Sequence, residues 1–281
     1  MTSFRYLIAA TTGLALFATA GAAVAAPFTF NPAGSTPALS SVGSQFTADD
    51  IIFAQYSNIN IATNGNFTES GVLRIANFQS NGLALIPNGY NGTGTATPYT
   101  LYITFTGTGT ATGATAGASG TFSTLTASLF GDLGNNDGAL SATTAGATFA
   151  NGTSGDVLLA TGTLQSGTVG LAANPNPAGS SPVLPSAFAL VNFTDAQPGA
   201  GSFFVVPSTL RFNLNSSFTN SDSVTTLGTT GNGIDLVVNG GAGNGTITSI
   251  ANPVNPVPEP ASMALLGVGL AAVGLVRRRR A

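Results

Sequence analysis

The chain has 281 residues, only 6% of them charged: ten acids and seven arginines, with no lysine, histidine, cysteine or tryptophan. Without His or Lys a serine nucleophile lacks its usual bases and no amine side chain can form a Schiff base, while thiol chemistry and Cys/His zinc sites are excluded outright. Between residues 26 and 256 two arginines stand against nine acids, which gives a phosphate backbone nothing to bind and argues against nucleic acid as a partner. Leu, Ile, Val and Phe still make up 72 residues, enough for a packed core that must hold without disulfides.

Taken in chain order, residues 1–25 read as a secretory signal peptide. Arg5 precedes an apolar run from Leu7 to about Ala20, and Ala23 and Ala25 form the small-residue pair that places cleavage after Ala25. The body, residues 26–250, is dominated by short runs of period two. In Tyr99 to Thr106, Tyr99, Leu101, Ile103 and Phe105 share one face and threonines mostly fill the other; Leu210 to Asn215 alternates as cleanly. Val72 to Phe78, Thr121 to Phe130, Val157 to Leu164, Phe188 to Phe193, Phe203 to Val206, Ile234 to Val238 and Thr246 to Ile250 are weaker strands of the same kind. No convincing helical stripe interrupts them.

Such a pattern predicts an all-β body, with one apolar face per strand. Two antiparallel sheets packed face to face in a jelly-roll-like β-sandwich accommodate it, with a β-solenoid as the alternative. A solenoid should repeat, and the one exact repeat is Gly92 to Thr97 returning as Gly107 to Thr112, which reads as flexible turns bracketing a strand. The Pro-rich stretch 174–182 is either a long loop in one domain or a divide between two. Gly240 to Ile247 reads as a hairpin loop.

Few residues in the body suggest chemistry. Asp132 and Asp137 lie at short spacing in a glycine- and asparagine-rich loop, so they are weak calcium ligands in competition with ordinary turn chemistry. Asp49 and Asp50 are adjacent, and neighbours on a strand point to opposite faces, so they cannot flank one glycosidic bond. No enzymatic activity and no resident cofactor are expected. Of the tyrosines, Tyr102 lies opposite the apolar face and is the expected exposed contact if the body binds sugar.

The end of the chain is more specific. Residues 251–260 are a Pro-rich tether ending in Val257, Pro258, Glu259 and Pro260; residues 261–276 are uncharged and apolar; residues 277–281 form a basic tail containing Arg277, Arg278, Arg279 and Arg280. Four prolines at near-alternate positions favour an extended tether, and the apolar segment with its flanking arginines predicts a transmembrane helix whose basic end stays cytoplasmic. These three parts in this order resemble the PEP-CTERM protein-sorting signal of Gram-negative, polysaccharide-producing bacteria. The resemblance covers about 25 residues and implies processing by an exosortase. Within the sorting motif Val257 to Pro260, Pro258, Glu259 and Pro260 would form the recognition element, the helix would hold it at the membrane, and Arg277 to Arg280 would retain the tail during transit. The partners so implied are the exosortase, the secretion machinery, the membrane before processing, and the exopolysaccharide matrix after it. The expected role is an exported structural protein, held transiently on the outer side of the inner membrane and destined for the cell surface or extracellular matrix. An exopolysaccharide-binding module is the alternative.

Overall fold

A computed structural model describes residues 28–39, 45–85, 99–133, 140–149, 153–175, 181–197, 202–205, 209–217, 224–228 and 233–249. The chain divides into two compact units, Met1–Ser249 and Ile250–Ala281, and every described residue belongs to the first. The expected signal peptide, the sorting motif Val257 to Pro260, Arg277 to Arg280, and the helix expected over 261–276 all lie outside the described residues. Among the described residues no helix is long and apolar enough to cross a membrane.

The strands are β1 (Phe28–Phe30), β2 (Phe46–Ala48), β3 (Asp50–Ile61), β4 (Asn66–Ser80), β5 (Leu83–Leu85), β6 (Tyr99–Ala111), β7 (Ser119–Leu133), β8 (Ser141–Thr143), β9 (Gly146–Thr148), β10 (Val157–Ala173), β11 (Val183–Asp195), β12 (Thr209–Ser217), β13 (Val224–Gly228) and β14 (Ile234–Ser249). Eight of them form a closed ring in the order β3-β4-β6-β7-β10-β11-β12-β14, with β14 returning to β3. Every neighbour pair is antiparallel and consecutive among the wall strands, so this is an up-and-down β-barrel. Opposed residues traced around the wall from Ile52 through Asn244, Asn215, Phe188, Thr168, Thr121, Thr110 and Asn66 return beside Ala62, ten residues further along. That stagger is what tilts the strands of an eight-stranded barrel by roughly 35–45° to its axis.

The body is all-β, as the alternation predicts, but the jelly-roll-like sandwich and the solenoid are both overturned by this ring. One apolar face per strand fits an open pair of sheets or a closed barrel equally well. The choice is made by β14, which pairs with β12 over Gly243 to Ser249 and with β3 over Ile234 to Thr246. Length assists closure: the wall strands other than β12 run for 12 to 17 residues. Strands that long coil a sheet round on itself, and bulges such as those at Ile52/Phe53 and Asn239/Gly241 add local twist.

The glycine-rich tracts belong to the wall. Gly107 to Ala111 continues β6, and Gly240 to Ile247 lies within β14 and not in a hairpin loop. Their inward glycines make room for rings. A Cβ at Gly243 would come within 2.2 Å of the Phe53 ring, at Gly109 within 2.5 Å of Phe67, and at Gly107 within 3.0 Å of Phe122. Large side chains thus lie over glycines of the adjacent strand, Phe53 beside its partner Gly243 and Phe67 beside its partner Gly109, so that large and small residues alternate in the narrow interior. The Pro-rich stretch joins β10 to β11, and its two ends are tied by Asn174 N–H to the Pro182 carbonyl at 3.0 Å. These strands pair with each other, so the stretch is a hairpin connection within one body.

One end of the barrel is plugged. The β1–β2 hairpin brings Phe28, Phe30 and Phe46 against Phe78, Phe203 and Phe204, with the Phe30 ring 5.1 Å from both Phe46 and Phe78. Phe203 and Phe204 contribute only an isolated bridge from Phe204 to Phe30, where alternation predicts a strand. Leu39 closes the same end over Gly131, whose added Cβ would lie 2.3 Å from Leu39 Cδ2. Outside the wall, the β8–β9 hairpin covers part of β3, β4 and β14, tied there by the Ala142 N–H to Asn239 Oδ1 at 2.7 Å.

Candidate functional site

The buried polar side chains beside the chambers of the barrel come from three wall strands. On β3 the inward positions are Ile51, Phe53, Gln55, Ser57, Ile59 and Ile61, all buried. On β4 they include Phe67, Glu69, Gly71, Leu73 and Ile75, and on β12 Ser216 is buried as well. Period two therefore carries Gln55, Ser57 and Glu69 inside together with the core hydrophobes, since an inward phase admits whatever residue occupies it.

Glu69 is 4% exposed. Gln55 Nε2 donates to Glu69 Oε1 at 2.8 Å and to Ser57 Oγ at 2.8 Å, and the Ser57 hydroxyl also bonds the carboxylate. Burial disfavours the charged form more strongly than these two donors favour it, so the carboxyl pKa is pushed up from 4.5 to about 7. Beside it are two chambers that share Gln55, Glu69, Ala187 and Ser216 in their walls, the rest of each lining being largely apolar. They leave about 20 Å³ and about 40 Å³ open to the centre of a water molecule. The lumen therefore has room for small molecules and is otherwise filled by side chains.

The outer face is chemically opposite. On β6 and β7, Thr106 and Thr126 hydroxyls lie 3.0 Å apart and those of Thr108 and Thr124 2.7 Å apart, both pairs exposed. An apolar interior inside a hydroxyl-bearing wall is the arrangement of a barrel surrounded by water, and the reverse of a membrane-spanning one.

The residues expected to carry chemistry take other roles. Asp132 is fully buried at the end of β7, and the Thr100 hydroxyl donates to its Oδ2 at 3.1 Å. Asp137 lies outside the described residues, so the calcium pair is not assembled among them, and no cluster of three metal-ligating side chains occurs among the described residues. Asp132 acts electrostatically on Asp156. The pKa of Asp156 is raised first by burial and also by the Asp132 charge, while the hydrogen bond it accepts from the Tyr102 hydroxyl opposes the rise. Tyr102 itself is only 4% exposed. It does face away from the lumen, but its ring is packed 5.4 Å from Phe130 and 5.1 Å from Phe149, so it is no open platform for a sugar. Asp49 accepts the Asn81 N–H at 2.9 Å, a turn contact unrelated to acid catalysis.

Gln55, Ser57 and Glu69 escape the sequence reading altogether. A signal for them exists: each is in phase with the apolar residues of its strand, Phe53 and Ile59 on β3, Phe67 and Leu73 on β4.

The fold and lumen define a water-surrounded, single-lumen β-barrel. A family model described as the PEP-CTERM protein-sorting motif matches residues 256–280, the region carrying Pro258, Glu259, Pro260 and the four arginines. The chain thus carries the mark of an exported protein that is sorted by exosortase and processed at the membrane. No curated protein and no solved structure matches it.

Proposed function

We propose that the mature protein is a structural component of the cell surface or extracellular matrix, delivered by its sorting motif and acting there without a catalytic step. The observation that carries this reading is the wall itself: a closed barrel with an apolar interior and an exterior of paired threonine hydroxyls, almost free of charge. Such a surface is hydrated and compatible with a polysaccharide gel, while closure pairs the wall strands with one another and removes the edges through which bare strands would aggregate. In this reading Glu259, between Pro258 and Pro260, is the recognition point for processing, and Arg277 to Arg280 retain the tail until cleavage.

The test is to express the full chain in an exosortase-bearing host, separate envelope, matrix and medium, and determine the mature C-terminus by mass spectrometry. The expected result is a protein that co-purifies with matrix polysaccharide and ends at or near Val257 to Pro260, with a Glu259→Ala variant exported but keeping its tail. Protein found free in the medium would refute the matrix role. An exported wild-type chain that keeps Arg277 to Arg280 would refute processing.

A further inference from the structure

Among the described residues, the two chambers present one ionisable group and no charged side chain to balance it. Of the residues lining the two chambers, Glu69 alone is titratable: β3 contributes Phe53, Gln55, Ile59 and Ile61, β6 and β7 contribute aliphatic and aromatic residues, β10 and β11 contribute apolar residues with Ser186, and β12 contributes Leu214 and Ser216. Arg74 and Arg211, the arginines of the body, occupy the outward phase of β4 and β12. A buried carboxylate without a counter-charge is costly, so Glu69 either keeps its proton or takes up a cation small enough for the space.

Three observations specify that cation. The chambers leave about 20 Å³ and about 40 Å³ open to the centre of a water molecule, which suits a small cation. Phe53, Phe105 and Phe122 line the larger chamber, so their rings offer both apolar contact and the negative faces that attract ammonium groups. The lumen is also reachable: inward-facing Ala111, Val169 and Ala187 keep partial exposure at the end remote from the phenylalanine plug, where Phe28 and Phe30 are sealed. Nine acids against two arginines in the body would further favour the approach of cations over anions.

We propose that the lumen around Glu69 is a binding site for a short-chain primary alkylammonium. Its nitrogen pairs with the Glu69 carboxylate, held in place by Gln55 and Ser57, and its carbons lie against Phe53, Phe105 and Phe122. Binding neutralises the buried charge and displaces the few waters the chambers admit.

The probe is propylammonium chloride, titrated by heteronuclear NMR into the mature full-length protein, with propan-1-ol and ammonium chloride as matched controls. At pH 8 propylammonium is expected to shift residues lining the chambers with a millimolar Kd, and neither control to do so. The ligand stays cationic throughout, so lowering the pH to 5.5 weakens binding through protonation of Glu69 alone, by about 30-fold for a carboxyl pKa of about 7. Glu69→Gln is expected to abolish binding. Ala187→Leu, which fills both chambers from β11 and leaves Glu69 in place, should abolish it too. Equal shifts from propan-1-ol would show simple filling of an apolar hole, equal shifts from ammonium chloride an inorganic cation site, and persistence of binding in Glu69→Gln a site elsewhere. Each of these, or no binding at pH 8, overturns the proposal.

Discussion

Replacing Glu69 with glutamine tests the physical basis of the lumen most directly. The substitution keeps the shape of the side chain and an oxygen for Gln55 Nε2, while removing the proton equilibrium. In the folded protein the carboxyl pKa is about 7, against 4.5 for the ordinary group. As pH rises through 4.5 the unfolded chain releases this proton while the folded chain retains it, so folding loses stability steadily until the folded pKa is passed. Above about pH 7 the deficit is constant. At 1.36 kcal/mol per unit, a shift of this size corresponds to about 3 kcal/mol. The stability of Glu69→Gln relative to wild type should therefore be nearly independent of pH below 4.5, rise between 4.5 and 7, and level off about 3 kcal/mol higher by pH 8. Urea unfolding followed by circular dichroism at a series of pH values measures this difference, and acids other than Glu69 cancel from it because both proteins carry them. Parallel profiles for the two proteins would refute the account, since they would mean that Glu69 is as well solvated in the barrel as in the unfolded chain.

Two packing predictions accompany it. Phe30→Ala removes the ring at the centre of the phenylalanine plug, fully buried and in contact with five other rings, and should cost about 3–5 kcal/mol in urea unfolding; a loss under 1 kcal/mol would show that the plug is dispensable to the barrel. Gly243→Ala places a Cβ 2.2 Å from the Phe53 ring and 2.9 Å from the Asn215 carbonyl oxygen, so overpacking should destabilise by about 1–3 kcal/mol. The double variant Gly243→Ala, Phe53→Leu should recover part of that loss, whereas strict additivity would refute the steric pairing of these two positions.

Alternation makes β6 legible from residues alone: Tyr99, Leu101, Ile103 and Phe105 are buried, and Thr106 and Thr108 beside them are exposed. β3 is not legible in the same way. Its inward face carries Gln55 and Ser57 between Phe53 and Ile59, so the apolar period lapses at the very positions that build the lumen's polar cluster. β14 fails for a different reason. Its inward glycines, Gly243 and Gly245, look like turn residues in sequence, and only their neighbours in space, the Phe53 ring at Gly243 and Leu214 and Ile51 at Gly245, explain them as wall positions.

By itself, then, the sequence determines what is local: the sorting tail that the family match at 256–280 supports, the strand period, and the exclusion of whole classes of chemistry through absent residue types. The tertiary structure alone decides what is non-local. Whether the sheet stays open or closes depends on β14 reaching β3 across most of the body, a pairing that no window of neighbouring residues encodes. The state of Glu69 depends on that closure, because a strand residue exposed on an open sheet keeps its water, whereas the same residue inside a ring of eight strands loses it and titrates near neutrality.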